Sequence, residues 1–225
     1  MKKLFVLILS LMTMLLFSAC GETTDGSAQK TESKSTQNDT SDSQGTTTAA
    51  KNSTKILVAY FSRAGDNYEV GVIEKGNTHI MADMIAEATG ADEFEIKTVK
   101  PYPADYKECT DLAKQELADN ARPELDGKVA DMSKYDTIFL GYPIWWSDMP
   151  MAVYAFLESN DFNGKTIIPF CTSAGEVMTG KEVNIPQIAK GSQIREGLGV
   201  RGKDCQDDPN KVQNAVKAWL TTLGY

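Results

Sequence analysis

The stretch DTIFLGYPIWWSDMP, Asp136 to Pro150, decides the fold. Asp136 to Tyr142 is a short apolar run with a β-branched residue and aromatics, too short for a buried helix, and it reads as a buried strand. Tyr142, Trp145 and Trp146 stand at its far end, where a connecting loop is expected to be polar. Exposed aromatic planes at such a point suit a flat ring system, on which they stack. Pro150 then falls at the first turn of the helical pattern DMPMAVYAFLES. Strand, aromatic loop and helix follow one another without a spacer.

The same rhythm runs outward in both directions. KILVAYF (Lys55–Phe61), ADEFEIKT and KTIIPFC (Lys165–Cys171) read as strands, with Pro169 an irregularity in the last, and SQIREGL reads as the final strand. Between them, THIMADMIAEATG places Ile80, Met81, Met84, Ile85 and Ala88 at helical spacing and stops at Gly90. ADYKECTDLAKQELADN gathers Tyr106, Cys109, Leu112, Ala113 and Leu117 on one face. EVNIPQIAK reads as a short helix. DDPNKVQNAVKAWLTTLG closes the chain, with Asp208 as cap, Pro209 first, and an apolar stripe through Val212, Ala215, Val216, Trp219 and Leu223. Alternating strands and helices imply a parallel sheet covered on both faces. Ligands of such sheets bind beyond the carboxyl ends of the strands.

Three loops lie at those ends. The first, Ser62 to Asn77, begins with Ser62 and ends with Gly76-Asn77-Thr78 at the next helix start, where Asn77 or Thr78 would cap it. Hydroxyls and helix N-terminal amides suit a phosphate. Asp66 to Gly76 is an excursion that splits this phosphate-like string, with Tyr68, Val70, Val72 and Ile73 free to cover a ligand or partner. Taken alone, the loop reads equally as an anion site or a plain strand–helix connection. It lacks the Gly-Lys-Ser/Thr ending of a nucleoside-triphosphate loop. The second loop carries the tryptophans. The third, TSAGEVMTG (Thr172–Gly180), again has hydroxyls and small residues that let backbone approach a ligand. A phosphate cradle, a flat-ring platform and a tight polar loop are the three requirements of flavin mononucleotide (FMN).

The ends of the chain differ from this region. Met1 to Cys20 has two lysines, an apolar core and small residues before a cysteine, and reads as a signal peptide. Phe17-Ser18-Ala19-Cys20 resembles a lipoprotein processing site, which implies lipidation of Cys20 and an extracytoplasmic, membrane-anchored location. An ordinary cleaved signal with an incidental cysteine is the alternative. Residues 21–54 are rich in Ser, Thr, Gln, Asn, Asp and Gly, and read as a disordered tether with a reach of about 30–35 Å. Residues 55–225 are left as one domain. Lys2 and Lys3 offset the two surplus acids of the tether, so the domain carries the whole formal charge of −8. That balance disfavours nucleic acid and suits a basic protein partner. Cys109, Cys171 and Cys205 show no CxxC spacing, and His79 is the lone histidine, so no metal site is expected. One pair of thiols remains open to oxidation, and Cys171 reads as a buried strand residue.

The segments ILVAYFS, GNT, ATGAD, PYPADY, RPEL, YDTIFLGYPIWW, FLES, DFNGKTIIPFCTSAG and the closing helix together resemble the flavodoxin-like family, in particular its bacterial branch with a Tyr-Pro-Ile-Trp-Trp loop. The resemblance implies a doubly wound α/β fold, a five-stranded parallel sheet of order 2-1-3-4-5 with helices on both faces, and FMN as cofactor. It implies that Ser62, Ala64, Asn77 and Thr78 hold the phosphate. Pro143, Ile144, Trp145 and Trp146 would line the isoalloxazine, and Thr172, Ser173 and Gly175 would meet its other edge. Ala64 stands where the family usually has a hydroxyl. The flavin would carry the redox chemistry with no catalytic side chain, while the Pro143–Ser147 backbone and acids such as Asp148 tune it. An electron-transfer protein serving a redox partner protein or quinone is the first expectation. A flavin-dependent quinone or small-molecule reductase, and a non-catalytic flavin-binding lipoprotein, are the alternatives.

Overall fold

The computed structural model describes residues 55–175, 178 and 181–225; the expected leader and its lipidation residue Cys20, and the tether, lie outside them. The strands are β1 (Ile56–Tyr60), β2 (Gly65–Asn67), β3 (Gly71–Ile73), β4 (Asp92–Glu95), β5 (Thr137–Pro143), β6 (Thr166–Ser173), β7 (Gln193–Ile194) and β8 (Leu198–Arg201). The α-helices are α1 (Asn77–Thr89), α2 (Tyr106–Asp119), α3 (Met151–Ser159), α4 (Ile185–Ile188), α5 (Gly202–Asp207) and α6 (Pro209–Leu223).

The central sheet runs β4-β1-β5-β6, with β7 and β8 sharing the place beyond β6. Every pairing in it is parallel. Counted by position, this is the expected order 2-1-3-4-5. The runs that read as buried strands are apolar on both sides because the sheet is covered on both sides. On one face, Leu57, Ile138, Leu140, Ile167 and Cys171 pack with Ala152, Val153 and Phe156 of α3. On the other, Val58, Phe139, Ile168 and Phe170 pack under α1 and α6, through residues such as Met81, Ile85, Val216 and Trp219.

Three details differ from the sequence expectations. The stripe of α1 is rotated by about one position. Met81, Ala82, Ile85 and Ala86 are buried, Ile80 and Met84 are partly buried, and Ala88 is exposed. Small Ala82 and Ala86 let the helix approach the sheet, while the larger side chains wedge along its flanks. The fifth strand is broken rather than continuous over 192–198. β7 pairs with Thr166–Ile167 and β8 with Phe170–Ser173, leaving a gap beside Pro169. Proline offers no ladder donor there, yet it keeps its place in the middle of the sheet opposite Leu140. The excursion after β1 is itself ordered: β2 and β3 form an antiparallel hairpin separate from the main sheet. At the last helix the expected cap holds, since the Asp208 carboxylate accepts from the Lys211 amide and Pro209 opens α6.

Candidate functional site

A cleft of about 360 Å³ opens at the carboxyl ends of the strands, a volume within the range of small-molecule sites. One wall is the loop after β5, Pro143 to Trp146. Its path is fixed by the backbone. The Ile144 amide donates to the Thr172 carbonyl at 2.9 Å, and Trp145 and Asp148 exchange both amide–carbonyl bonds at 2.9 and 3.0 Å. Trp146 (φ 51°) and Ser147 (φ 63°) therefore form a two-residue turn of left-handed conformation. That geometry disfavours a bulky residue such as tryptophan, and strained backbone of this kind concentrates at functional sites.

The two tryptophans have separate surroundings. Trp145 is half-buried and meets Phe61 and Tyr102 edge-on, at 5.3 and 5.0 Å between ring centroids. Trp146 is 49% exposed. Its indole N–H donates to the Thr110 carbonyl at 3.0 Å, and the Lys114 ammonium sits 5.1 Å from its ring centroid. Both rings line the cleft, together with Tyr106, Cys109 and Thr110 from α2. Asp148 does not. Its Oδ1 accepts from the Met149 amide and the Tyr154 hydroxyl, both at 2.8 Å, so it organises the start of α3.

The start of α1 forms the far end. Gly76, rather than Asn77 or Thr78, is its N-cap and supplies no side chain. The capping oxygen comes from outside the helix: Ser62 Oγ accepts from the His79 amide at 3.1 Å. A Cβ on residue 76 would lie 2.2 Å from that Oγ, so only glycine admits the arrangement. The amides of Asn77 and Thr78 precede the first turn's bond, which Ile80 donates to Gly76, and so have no partner within the helix. Thr78 is buried, and its hydroxyl lies 2.8 Å from that of Thr172. The Asn77 carboxamide oxygen accepts from Gln206 at 2.8 Å.

The residues named from sequence thus divide. Asn77, Pro143, Ile144, Trp145, Trp146, Thr172 and Ser173 line the cleft. Ser62 and Thr78 are not among the lining residues, and their hydroxyls are used on protein partners, Thr78 on the lining residue Thr172. Ala64 is exposed and accepts from the Arg63 guanidinium through its carbonyl. Gly175 forms a tight turn with Ser173, its amide donating to Ser173 Oγ at 3.1 Å.

Other lining residues, apart from Tyr68, come from positions to which the sequence reading gave no ligand role. Arg63 lines the cleft, and its guanidinium donates to the carbonyls of Pro103 and Ala104 (both 2.9 Å) and of Asp66. Asn67, Tyr68 and Glu69 come from the hairpin, and Gly202 and Lys203 from the start of α5. An arginine directly after the strand-end serine was the available signal for the first of these. Tyr68 reads from the sequence as free to cover a ligand, but the pairing of the hairpin had no signal, because its strands are short and glycine-bearing.

The thiols are buried and unbridged among the described residues. Burial pushes Cys171 and Cys205 up to about 12. Burial also raises Cys109, which lines the cleft, against the opposing pull of Arg63. Cys171 is fully buried, as expected of a strand residue, and lies on the opposite face of the sheet from Cys205. Among the described residues no group of His, Cys, Asp or Glu is arranged to hold a metal.

A family model described as Flavodoxin matches residues 55–222. The chain belongs to the flavodoxin family. Among curated proteins none matches it. Two solved structures, each provisionally named a flavoprotein, resemble this flavodoxin over most of its length. The one from Bacteroides eggerthii is 28% identical, with a TM-score of 0.60, covering 76% of this chain and 98% of the other. The one from Bacteroides uniformis is 31% identical, with a TM-score of 0.56, covering 73% and 98%. A flavoprotein of Lactobacillus acidophilus in complex with FMN shares the fold at 21% identity and a TM-score of 0.52, covering 68% and 97%.

Proposed function

We propose that this flavodoxin binds FMN in the cleft and carries electrons. The observation that carries the reading is that one cleft joins the Trp145–Trp146 turn to the open amides at the start of α1. The donor set fits the group. Trp145 and Trp146 offer flat apolar surface for the ring. Backbone of the Pro143–Trp146 and Thr172–Ala174 segments offers polar partners at its edges. The helix start at Asn77, with Lys203 and Arg63 in the same lining, offers positive potential to the phosphate. In this assignment Ser62 and Thr78 act by shaping the phosphate end, and Asn77 and Lys203 meet it. When bound, FMN supplies one- and two-electron redox chemistry. The protein's part is to hold and orient it, with no acid, base or nucleophile required of any side chain.

We further propose that the protein works at the extracytoplasmic face of a membrane, held by a lipid on Cys20, with residues 21–54 as the tether. The motif before Cys20 and the composition of residues 21–54 support this. Among the described residues no helix is long and apolar enough to cross a membrane. The domain charge of −8 suits a basic redox partner protein. A second reading, a flavin-dependent reductase of quinones or similar small molecules, is favoured by the exposed rings of Tyr68, Tyr106 and Trp146 at the cleft.

An absorbance spectrum of the purified protein tests the cofactor. A yellow protein, or quenching of FMN fluorescence on titration into stripped protein, is expected. A protein that stays colourless and leaves FMN fluorescence unchanged overturns the reading. Oxidation of NAD(P)H with a quinone as acceptor would assign the reductase, and reduction only through a protein partner the carrier.

A further inference from the structure

Arg201, the last residue of β8, joins parts of the cleft that the central sheet leaves apart. Its Nη2 donates to both carboxylate oxygens of Glu69, at 3.0 and 3.3 Å, and its Nε donates to the Ala174 carbonyl at 3.2 Å. Glu69 is at the turn of the β2–β3 hairpin, in left-handed conformation with φ 62°. Ala174 follows β6, and Gly202 and Lys203 follow Arg201 itself. Glu69, Ala174, Gly202 and Lys203 all line the cleft, so three of its walls meet at one guanidinium.

The hairpin depends on such contacts. It shares no ladder with the central sheet. Its base is held by Arg63 and by the Asp66 amide, which donates to the Ala104 carbonyl at 2.9 Å. Its flank is held by Tyr68 against Tyr106, with ring centroids 6.2 Å apart. Val72, on the returning strand, is 82% exposed, so that strand anchors little. Arg201 is the contact at the turn.

We infer that Arg201 is a cofactor-positioning residue, whose bridge from Glu69 to Ala174 holds the hairpin turn, with Asn67 and Tyr68, across the cleft and slows FMN exchange. The inference rests on the FMN reading given above. The pair is partly exposed, at 40% and 31% for the two side chains. Such pairs are weak and screened by salt. A weak clamp opens often, so it governs how fast the ligand passes more than whether the protein folds.

The test uses the full chain loaded with FMN, following release by the return of flavin fluorescence on dilution. Arg201→Gln and Glu69→Gln each speed release about two- to fivefold, the range a partly exposed ion pair supports, and the double variant adds little more. The charge-reversed pair Glu69→Arg with Arg201→Glu restores slow release. Raising the salt concentration speeds release from the parent and not from Arg201→Gln. Release at the parental rate in both single variants overturns the inference while leaving the FMN reading intact. Amide hydrogen exchange over residues 66–73, measured on flavin-free protein, judges the clamp independently of the cofactor. Faster exchange in Arg201→Gln is expected, and identical exchange overturns the clamp even in a chain that takes up no flavin.

Discussion

Two turns border the cleft, and they are held by different means. The Trp146–Ser147 turn is closed by its own backbone, through two bonds between Trp145 and Asp148, and is tied to β6 by a third from Ile144. The β2–β3 hairpin is tied to the rest of the domain by a backbone bond from the Asp66 amide to the Ala104 carbonyl, and otherwise hangs on side chains: Arg63 at its base, Tyr106 at its flank and Arg201 at its turn. A turn stitched by its own backbone and tied to a sheet end opens with that sheet end. A turn held by surface side chains opens locally, at low cost. The cleft therefore has one fixed wall and one movable wall.

The sharpest way to break this contrast is Trp145→Ala. That ring is packed against Phe61 and Tyr102 as well as lining the cleft. Its loss lowers folding stability by about 2–3 kcal/mol in a denaturant titration, a half-buried version of the usual cost of truncating a core aromatic. Trp146→Gly separates ligand from fold. Glycine relieves the left-handed strain and forfeits one indole bond, so stability stays within about 1 kcal/mol of the parent. FMN affinity, measured by fluorescence titration, falls by about 1–2 kcal/mol as the stacking surface goes. Joining Gly65 directly to Gly76, with Asp66–Lys75 removed, costs the least. Stability changes by less than about 1 kcal/mol, because a surface excursion is removed and a loop shortened. A large loss of stability in this last variant would show that the hairpin belongs to the fixed scaffold.

The parallel sheet was legible because both of its faces are covered, which writes its inner strands as apolar runs; its order came only from the family resemblance. The aromatic wall was legible for the opposite reason: tryptophans at 145 and 146 are out of place in a connecting loop. What escaped the sequence depends on contacts between distant segments. Ser62 caps a helix it does not belong to, which requires the close approach of Gly76. Arg201 meets a glutamate 132 positions away. The rotation of α1 escaped for a simpler reason. A periodicity count gives weight to Ile80 and Met84, whereas the sheet prefers the small Ala82 and Ala86.

The hydroxyl pair Thr78–Thr172 has a mechanical consequence. Thr78 belongs to the first turn of α1 and Thr172 to the end of β6, and their oxygens are 2.8 Å apart in a buried position. Thr172 also accepts, through its carbonyl, the amide that anchors the aromatic loop. One threonine thus acts as a strut between the proposed ring end and phosphate end of the cleft. The two ends are thereby linked through one residue, so a change at either is felt first at Thr172.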